Sequence, residues 1–311
     1  MAHCHGHGHG HHHHHHHVTD YNRAFAIGVV LNSIYIVVEA GCGFAFGSLA
    51  LLADAGHNLS DVLGLLLAWG AHYLSGFKPT TRRTYGWGRS SILAALFNAI
   101  ILLIAMGGIG WESIRRLISP SEATVPGMTI MIVAGIGVVI NTLTALLFLN
   151  GSEDDLNIKG AYLHMAADAA VSVAVVLGGL AIMTLGWNWV DPVLSLIIVA
   201  VIVFGTWGLL KDSANLALDA VPPGIDPLEV RGYLEQLPGV KAVHDLHIWA
   251  MSTTENALTA HLVRDEPTVP DHFLHDAASD LRSQFKIHHS TLQIECSHAA
   301  EHCEQAPADV V

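Results

Sequence analysis

Four side chains in this 311-residue chain are spaced as metal ligands would be. His57 and Asp61 lie in the run Leu51-Leu52-Ala53-Asp54-Ala55-Gly56-His57-Asn58-Leu59-Ser60-Asp61. Four residues apart, they share one face of a helix. The run Tyr162-Leu163-His164-Met165-Ala166-Ala167-Asp168 repeats the spacing with His164 and Asp168. Two such helices facing each other offer two imidazoles and two carboxylates, a tetrahedral N₂O₂ set suited to Zn²⁺. Both runs are otherwise apolar, and ionisable groups at membrane depth are costly and mark substrate paths. The plainer alternative is two His–Asp pairs tying helices together by hydrogen bonds, but the repeat of one spacing favours ligands. Asp54, one turn before His57, reads as an auxiliary acid or a helix tie.

The elements that position these residues are membrane helices. The chain is 51% hydrophobic and 13% charged, against about 25% charged in soluble domains. Six apolar segments approach the ~20 residues a bilayer helix needs: Ala24–Phe46, Leu49–Leu74, Ser90–Ile114, Met128–Leu149, Gly160–Leu185 and Trp189–Leu210. With the N-terminus inside, the inner side carries Arg23, Lys78, Arg82, Arg83, Arg89, Lys159 and Lys211, the outer side only Arg115 and Arg116. Positive charge collects on the cytoplasmic side, so both termini are expected there, at the inner cell membrane. Glu39, Asn98 and Asn141 read as polar ties between helices.

Net charge is −13, and from Lys211 onward sixteen acids face six bases, a net −10. An acid excess argues against nucleic acid and suits cations. After Pro222-Pro223-Gly224 the pattern is helix, two strands, helix, strand: a helix from Asp226-Pro227 to about Leu237, strands over Val240–Met251 and Asn256–Arg264, a helix over Asp271–Phe285, and a strand over Ser290–Cys296. That is a small αββαβ, ferredoxin-like α+β domain. The expected organisation is a flexible His-rich tail over 1–22, a six-helix membrane domain over 23–210, a cytoplasmic α+β domain over 211–298, and a disordered tail over 299–311.

Four cysteines, Cys4, Cys42, Cys296 and Cys303, are too few for a disulfide framework and read as reduced thiols that can bind metal. The N-terminus is no signal peptide, for it lacks an apolar core. It is a histidine tract: His3, His5, His7, His9 and His11 to His17. The run of seven could in part be a purification tag, whereas the alternating His-Cys-His-Gly segment is not tag-like. Such a tract collects soft divalent metal.

The chain resembles the cation diffusion facilitator family of zinc exporters over about residues 20 to 297. The resemblance rests on Gly47-Ser-Leu-Ala-Leu-Leu-Ala-Asp-Ala-Gly-His-Asn-Leu-Ser-Asp61, on Tyr85-Gly-Trp-Gly-Arg89, on Gly160-Ala-Tyr-Leu-His164 with Asp168, and on His244-Asp-Leu-His-Ile-Trp249. It implies a homodimer exchanging zinc for protons, with His57, Asp61, His164 and Asp168 as the transport site, in the zinc-preferring branch. It implies a second zinc site in the cytoplasmic domain at His244, His261, His288 and Glu295. Cys303 or Cys296, with His3-Cys4-His5, could complete a further N/S site. It also pairs Arg89 with Asp219 near the inner membrane face. A site that some members carry between helices two and three is expected to be missing, since Lys78 to Thr84 has neither His nor acid. Two rivals remain. An intramembrane metalloenzyme would want a His-Glu-x-x-His helix, and none occurs. A membrane-anchored zinc sensor or buffer would need no ions at bilayer depth.

Overall fold

The computed structural model describes residues 18–75, 77–119, 125–149, 156–265, 270, 272–296 and 303. Six long helices come first: α1 (Val18–Phe46), α2 (Leu49–Ser75), α3 (Ser90–Ile118), α4 (Gly127–Leu149), α5 (Leu156–Leu185) and α6 (Val190–Ala217). They match the six expected segments, although α6 continues past Leu210 to Ala217. Lys211 and Asp212 do not end it, because charge is tolerated once a helix leaves hydrocarbon. It stops where Asp219 turns left-handed, at φ 60°, ahead of Pro222-Pro223. Among the described residues, α3, Gly127–Leu146, Tyr162–Leu185 and α6 are long and apolar enough to cross a membrane, and Val30–Phe46 of α1 is a shorter apolar stretch.

The helices are apolar outside and polar inside. Val37, Ile104, Trp111 and Phe204 are each at least 70% exposed, whereas Glu39, Asp54, Asn58, Asn98, Asn141, Asp168, Ser172 and Asp191 are buried. That inversion is what a bilayer solvent selects, since lipid solvates tails but no polar group.

The residues fall into two compact units. One holds the chain through Asn58 with Arg116–Leu194; the other holds Leu59–Arg115 with Ser195 onward. In the first unit α4 and α5 approach closely through glycine. A Cβ on Gly127 would lie 2.5 Å from the Gly179 carbonyl oxygen, and one on Gly179 would lie 2.9 Å from that of Gly127. Small residues let membrane helices pack backbone to backbone. In the same unit, buried Asp191 at the start of α6 caps α2. Its carboxylate accepts from Ser48 Oγ at 2.6 Å, from the Leu49 amide at 2.9 Å and from the Ala50 amide at 3.3 Å. A helix N-terminus leaves its first amides unsatisfied and carries positive dipole charge, and one carboxylate answers both.

In the second unit Asn98 of α3 donates to Ser60 Oγ of α2 at 3.1 Å, the interhelical tie expected of it. Arg89 pairs with Asp219 as the resemblance implies. The unit also contains α7 (Pro227–Glu235), β1 (Val240–Ala250), β2 (Asn256–Arg264), α8 (Phe273–Phe285) and β3 (Ile287–Cys296). This is the αββαβ order expected, with β3 beginning three residues early. The sheet order is β1-β2-β3, with β1 antiparallel and β3 parallel to β2. Val230, Leu234, Leu258, Leu262, Leu281 and Ile287 fill its core against the two helices. Asp226 caps α7, with Pro227 at its first turn. Tyr233 of α7 donates to Asp280 of α8 at 2.9 Å; burial, then that carboxylate, raises the phenol's pKa.

The Asp191 cap yields a prediction. Asp191→Ala leaves a hydroxyl and two buried amides without an acceptor, which should cost about 2–4 kcal/mol. Asp191→Asn keeps an acceptor oxygen and should cost less. Thermal melts in detergent read the order; equal melting temperatures for all three chains would show that the cap contributes nothing.

Candidate metal centres

The first group is built on α2 and α5 within one unit. His57, His164 and Asp168 each offer a ligand atom, all within 4.8 Å of one another. His57 Nε2 lies 3.4 Å from Asp168 Oδ1, and His164 Nε2 lies 3.7 Å from Asp168 Oδ2. The two rings meet edge to face, with centroids 5.9 Å apart. Direct N–H···O bonds run about 2.7–3.2 Å. Ligands held ~2.0–2.1 Å from a tetrahedral ion sit about 3.3 Å from each other. The observed separations match spacing around an ion better than direct pairing. Asp168 is only 3% exposed while the imidazoles are 26% and 42% exposed, so the anion is fixed inside and the histidines border the accessible side. Asp61 lies on the same unbroken α2, one turn past His57, and belongs to the other compact unit.

The second group is built by strand register. β1 pairs with β2 so that His244 faces His261, and β2 pairs with β3 so that Val263 faces Glu295. Three sequence-distant residues thereby converge. His244 Nε2 is 3.0 Å from Glu295 Oε2, and His261 Nδ1 is 3.0 Å from Glu295 Oε1. Cys303 Sγ comes within 3.9 Å of His261 Nδ1. The atoms offered by His244, His261, Glu295 and Cys303 all lie within 4.8 Å of one another. Two nitrogens, one carboxylate and one sulfur suit Zn²⁺ among the divalent metals. The buried Nδ1 of His244 has no hydrogen-bond partner, which leaves that imidazole a nitrogen to offer.

His288 is not brought to this cluster within one chain. It is exposed near the start of β3, seven residues from Glu295, or about 23 Å along a strand. Cys296 stays outside the cluster too. It follows Glu295 directly, and successive strand residues point to opposite faces. His3, Cys4 and His5 lie outside the described residues.

Asp245 is the residue that sequence spacing passes over. It lies between the two histidines of His244-Asp-Leu-His247, at a register irregularity, and adopts φ 49°. This left-handed turn aims its carboxylate at His247 Nε2, 2.8 Å away, and at His261 Nε2, 3.4 Å away. At 3.4 Å this carboxylate is an electrostatic neighbour of the far nitrogen of His261, while Nδ1 faces Glu295 and Cys303, the arrangement that carboxylates take beside metal-bound histidines. An acid flanked by two histidines was the available signal, but alternation cannot foresee a bulge.

Residues 25–216 match the cation efflux transmembrane domain, and residues 222–297 match the cation efflux protein cytoplasmic domain. The chain belongs to the cation efflux family. This is the family that its motifs resemble. The metal cation efflux system protein CzcD of Cupriavidus metallidurans is 37% identical over 92% of this chain and 89% of its own. The zinc transporter ZitB of Escherichia coli is 37% identical over 87% of this chain and 86% of its own. The cadmium, cobalt and zinc/H(+)-K(+) antiporter of Bacillus velezensis is 35% identical over 80% of each. The solved metal-bound C-terminal domain of the CzcD transporter from Cupriavidus metallidurans is 39% identical over 23% of this chain and 99% of that one, with a TM-score of 0.22. This cation efflux protein is thus a membrane transporter for metal cations, and its relatives are named as transporters rather than enzymes.

The Asp245 geometry predicts a loss of affinity. Asparagine tolerates the left-handed backbone but leaves one acceptor oxygen for two imidazoles. In an Asp168→Ala background, Asp245→Asn should weaken zinc binding to the full chain about 10–100-fold, measured by calorimetric titration. Undiminished affinity would leave Asp245 as a turn residue only.

Proposed function

We propose that this cation efflux protein is a Zn²⁺/H⁺ antiporter of the inner cell membrane, working as a homodimer by alternating access. The observation that carries the reading is the His57–His164–Asp168 group, with its buried carboxylate and ion-like spacing. Asp61 joins as fourth ligand because the helix period puts it on the face of His57. Neutral imidazole and carboxylate bind Zn²⁺ and their protonated forms do not, so protons arriving at the site expel the metal. Histidine titrates near physiological pH, which suits ordinary proton gradients. The relatives named zinc transporter and cadmium, cobalt and zinc/H(+)-K(+) antiporter support the substrate class.

The domain limits belong to the same proposal: a membrane part over 23–210, a metal-binding cytoplasmic part over 211–298, and terminal tails. Zinc held by His244, His261, Glu295 and Cys303 would stabilise the cytoplasmic domain by mass action. His288, distant within one chain, would find ligands only from a second copy of the domain. The histidine tract, with His3-Cys4-His5, would gather metal at the entrance. That cytoplasmic cluster also supports the rival sensor reading. Flux into sealed vesicles separates the two, since a sensor moves no metal.

Two outcomes test the proposal. Asp61→Ala or Asp168→Ala removes an anionic ligand, and should lower zinc flux more than about 100-fold in proteoliposomes carrying a pH gradient, while the protein still folds and elutes as wild type. Wild-type flux in either variant would overturn the assignment. His57→Asp makes the site oxygen-rich and less discriminating, so the ratio of zinc to cadmium flux should fall severalfold. An unchanged ratio would place selectivity elsewhere.

A further inference from the structure

A cluster of buried polar residues in the first unit borders the metal group. It comprises Tyr35 and Glu39 of α1, Asp54 and Asn58 of α2, and Ser172 of α5. Tyr35 Oη donates to Glu39 Oε1 at 2.6 Å, and Ser172 Oγ donates to Asp54 Oδ2 at 3.3 Å. The Glu39 and Asp54 carboxyls act on one another. Among the described residues each keeps one oxygen without a hydrogen-bond partner, Glu39 Oε2 and Asp54 Oδ1. Asn58, 1% exposed, lies beside Glu39 with neither amide atom held in hydrogen-bond geometry. The α4 backbone packs against the cluster at Gly137, where a Cβ would collide with the Tyr35 hydroxyl.

Among the described residues no lysine or arginine acts on either carboxyl. The charged or titratable groups that do are Tyr35 and Asp54 on Glu39, and Glu39, His57 and Asp168 on Asp54. Helix α4 carries no ionisable side chain. Two facing carboxylates sealed from water cannot both keep a negative charge. A single proton shared by the two carboxyls would remove the repulsion and give the pair the donor that it lacks.

We propose that Glu39 and Asp54 form a proton-binding site separate from the metal ligands, one that empties when the cation loads. Asp54 is one turn from His57, close enough for the cation's charge to favour release. The proton leaves Glu39 for bulk water, and only an O–H bond is broken. Linkage makes the coupling reciprocal: protonating the pair weakens metal binding as much as metal weakens protonation. This inference rests on the zinc/proton exchange proposed above.

The test is proton release on zinc binding, read with a pH dye in weakly buffered detergent solution of the full chain. Glu39→Gln, which fixes that side chain in a neutral form, should release about one proton fewer per chain than wild type and bind zinc at least about tenfold more weakly, as the reciprocal linkage requires. A zinc-induced infrared difference spectrum should show loss of a protonated-carboxyl C=O band in wild type. Glu39→Asp keeps an acid and should shift that band, which serves if Glu39→Gln does not fold. Equal proton counts with an unmoved band would overturn the proposal. So would an unchanged proton count together with a potassium stimulation of flux that Glu39→Gln abolishes, for the pair would then be a cation site. If wild type itself releases no proton, the exchange reading fails first.

Discussion

Hydrocarbon solvates no charge, and the membrane part of this protein is arranged around that constraint. A carboxylate at bilayer depth survives only with partners. Asp168 has two imidazoles within 3.7 Å, Asp191 has three donors at the head of α2, and Glu39 has a phenol. The exterior is left to tryptophan, phenylalanine and aliphatic side chains. Polar residues thus lie inside because the outside offers them nothing. That same enclosure makes a His and an Asp one turn apart a candidate ligand pair.

The cytoplasmic domain meets a different constraint by different means. Water is close, so a metal group there must be assembled against hydration rather than against oil. Strand pairing does this. Register alone fixes His244 beside His261 and carries Glu295 to the same end of the sheet. The φ 49° turn at Asp245 adds a carboxylate 3.4 Å from the far nitrogen of His261. A one-residue slip in either ladder would turn His261 to the opposite face and dissolve the group.

What the sequence makes legible follows from where each signal resides. His57, Asp61, His164 and Asp168 stand out because helix period and hydropathy are local, and an ion in an apolar run contrasts with its neighbours. The αββαβ order was readable for the same reason, through turn residues and alternation. Register is non-local, so the distance of His288 from the cluster was not readable. Nor was the choice of Cys303 over Cys296, which depends on which strand face each residue takes. Asp191 and Ser48 are separated by more than a hundred positions, and no periodicity links them. Glu39 and Asp54 were each visible, as a helix tie and an auxiliary acid. Their facing one another depends on the packing of α1 against α2.

The two candidate metal groups differ in a way that fits the duties proposed for them. In the membrane group the imidazoles are part-exposed, at 26% and 42%, and the spacings to Asp168 exceed hydrogen-bond length. In the cytoplasmic group every histidine–glutamate contact is 3.0 Å, the side chains of His244 and Glu295 are 11% and 8% exposed, and a thiol and a neighbouring aspartate are added. Pre-organised ligands with a supporting shell bind tightly. Part-exposed ligands with fewer supporting partners exchange their ion more readily. A transported ion must leave, whereas a structural or regulatory ion must stay. One fold therefore sets the same His–carboxylate chemistry in two places, and the burial and support around each match the passage proposed for one group and the residence proposed for the other.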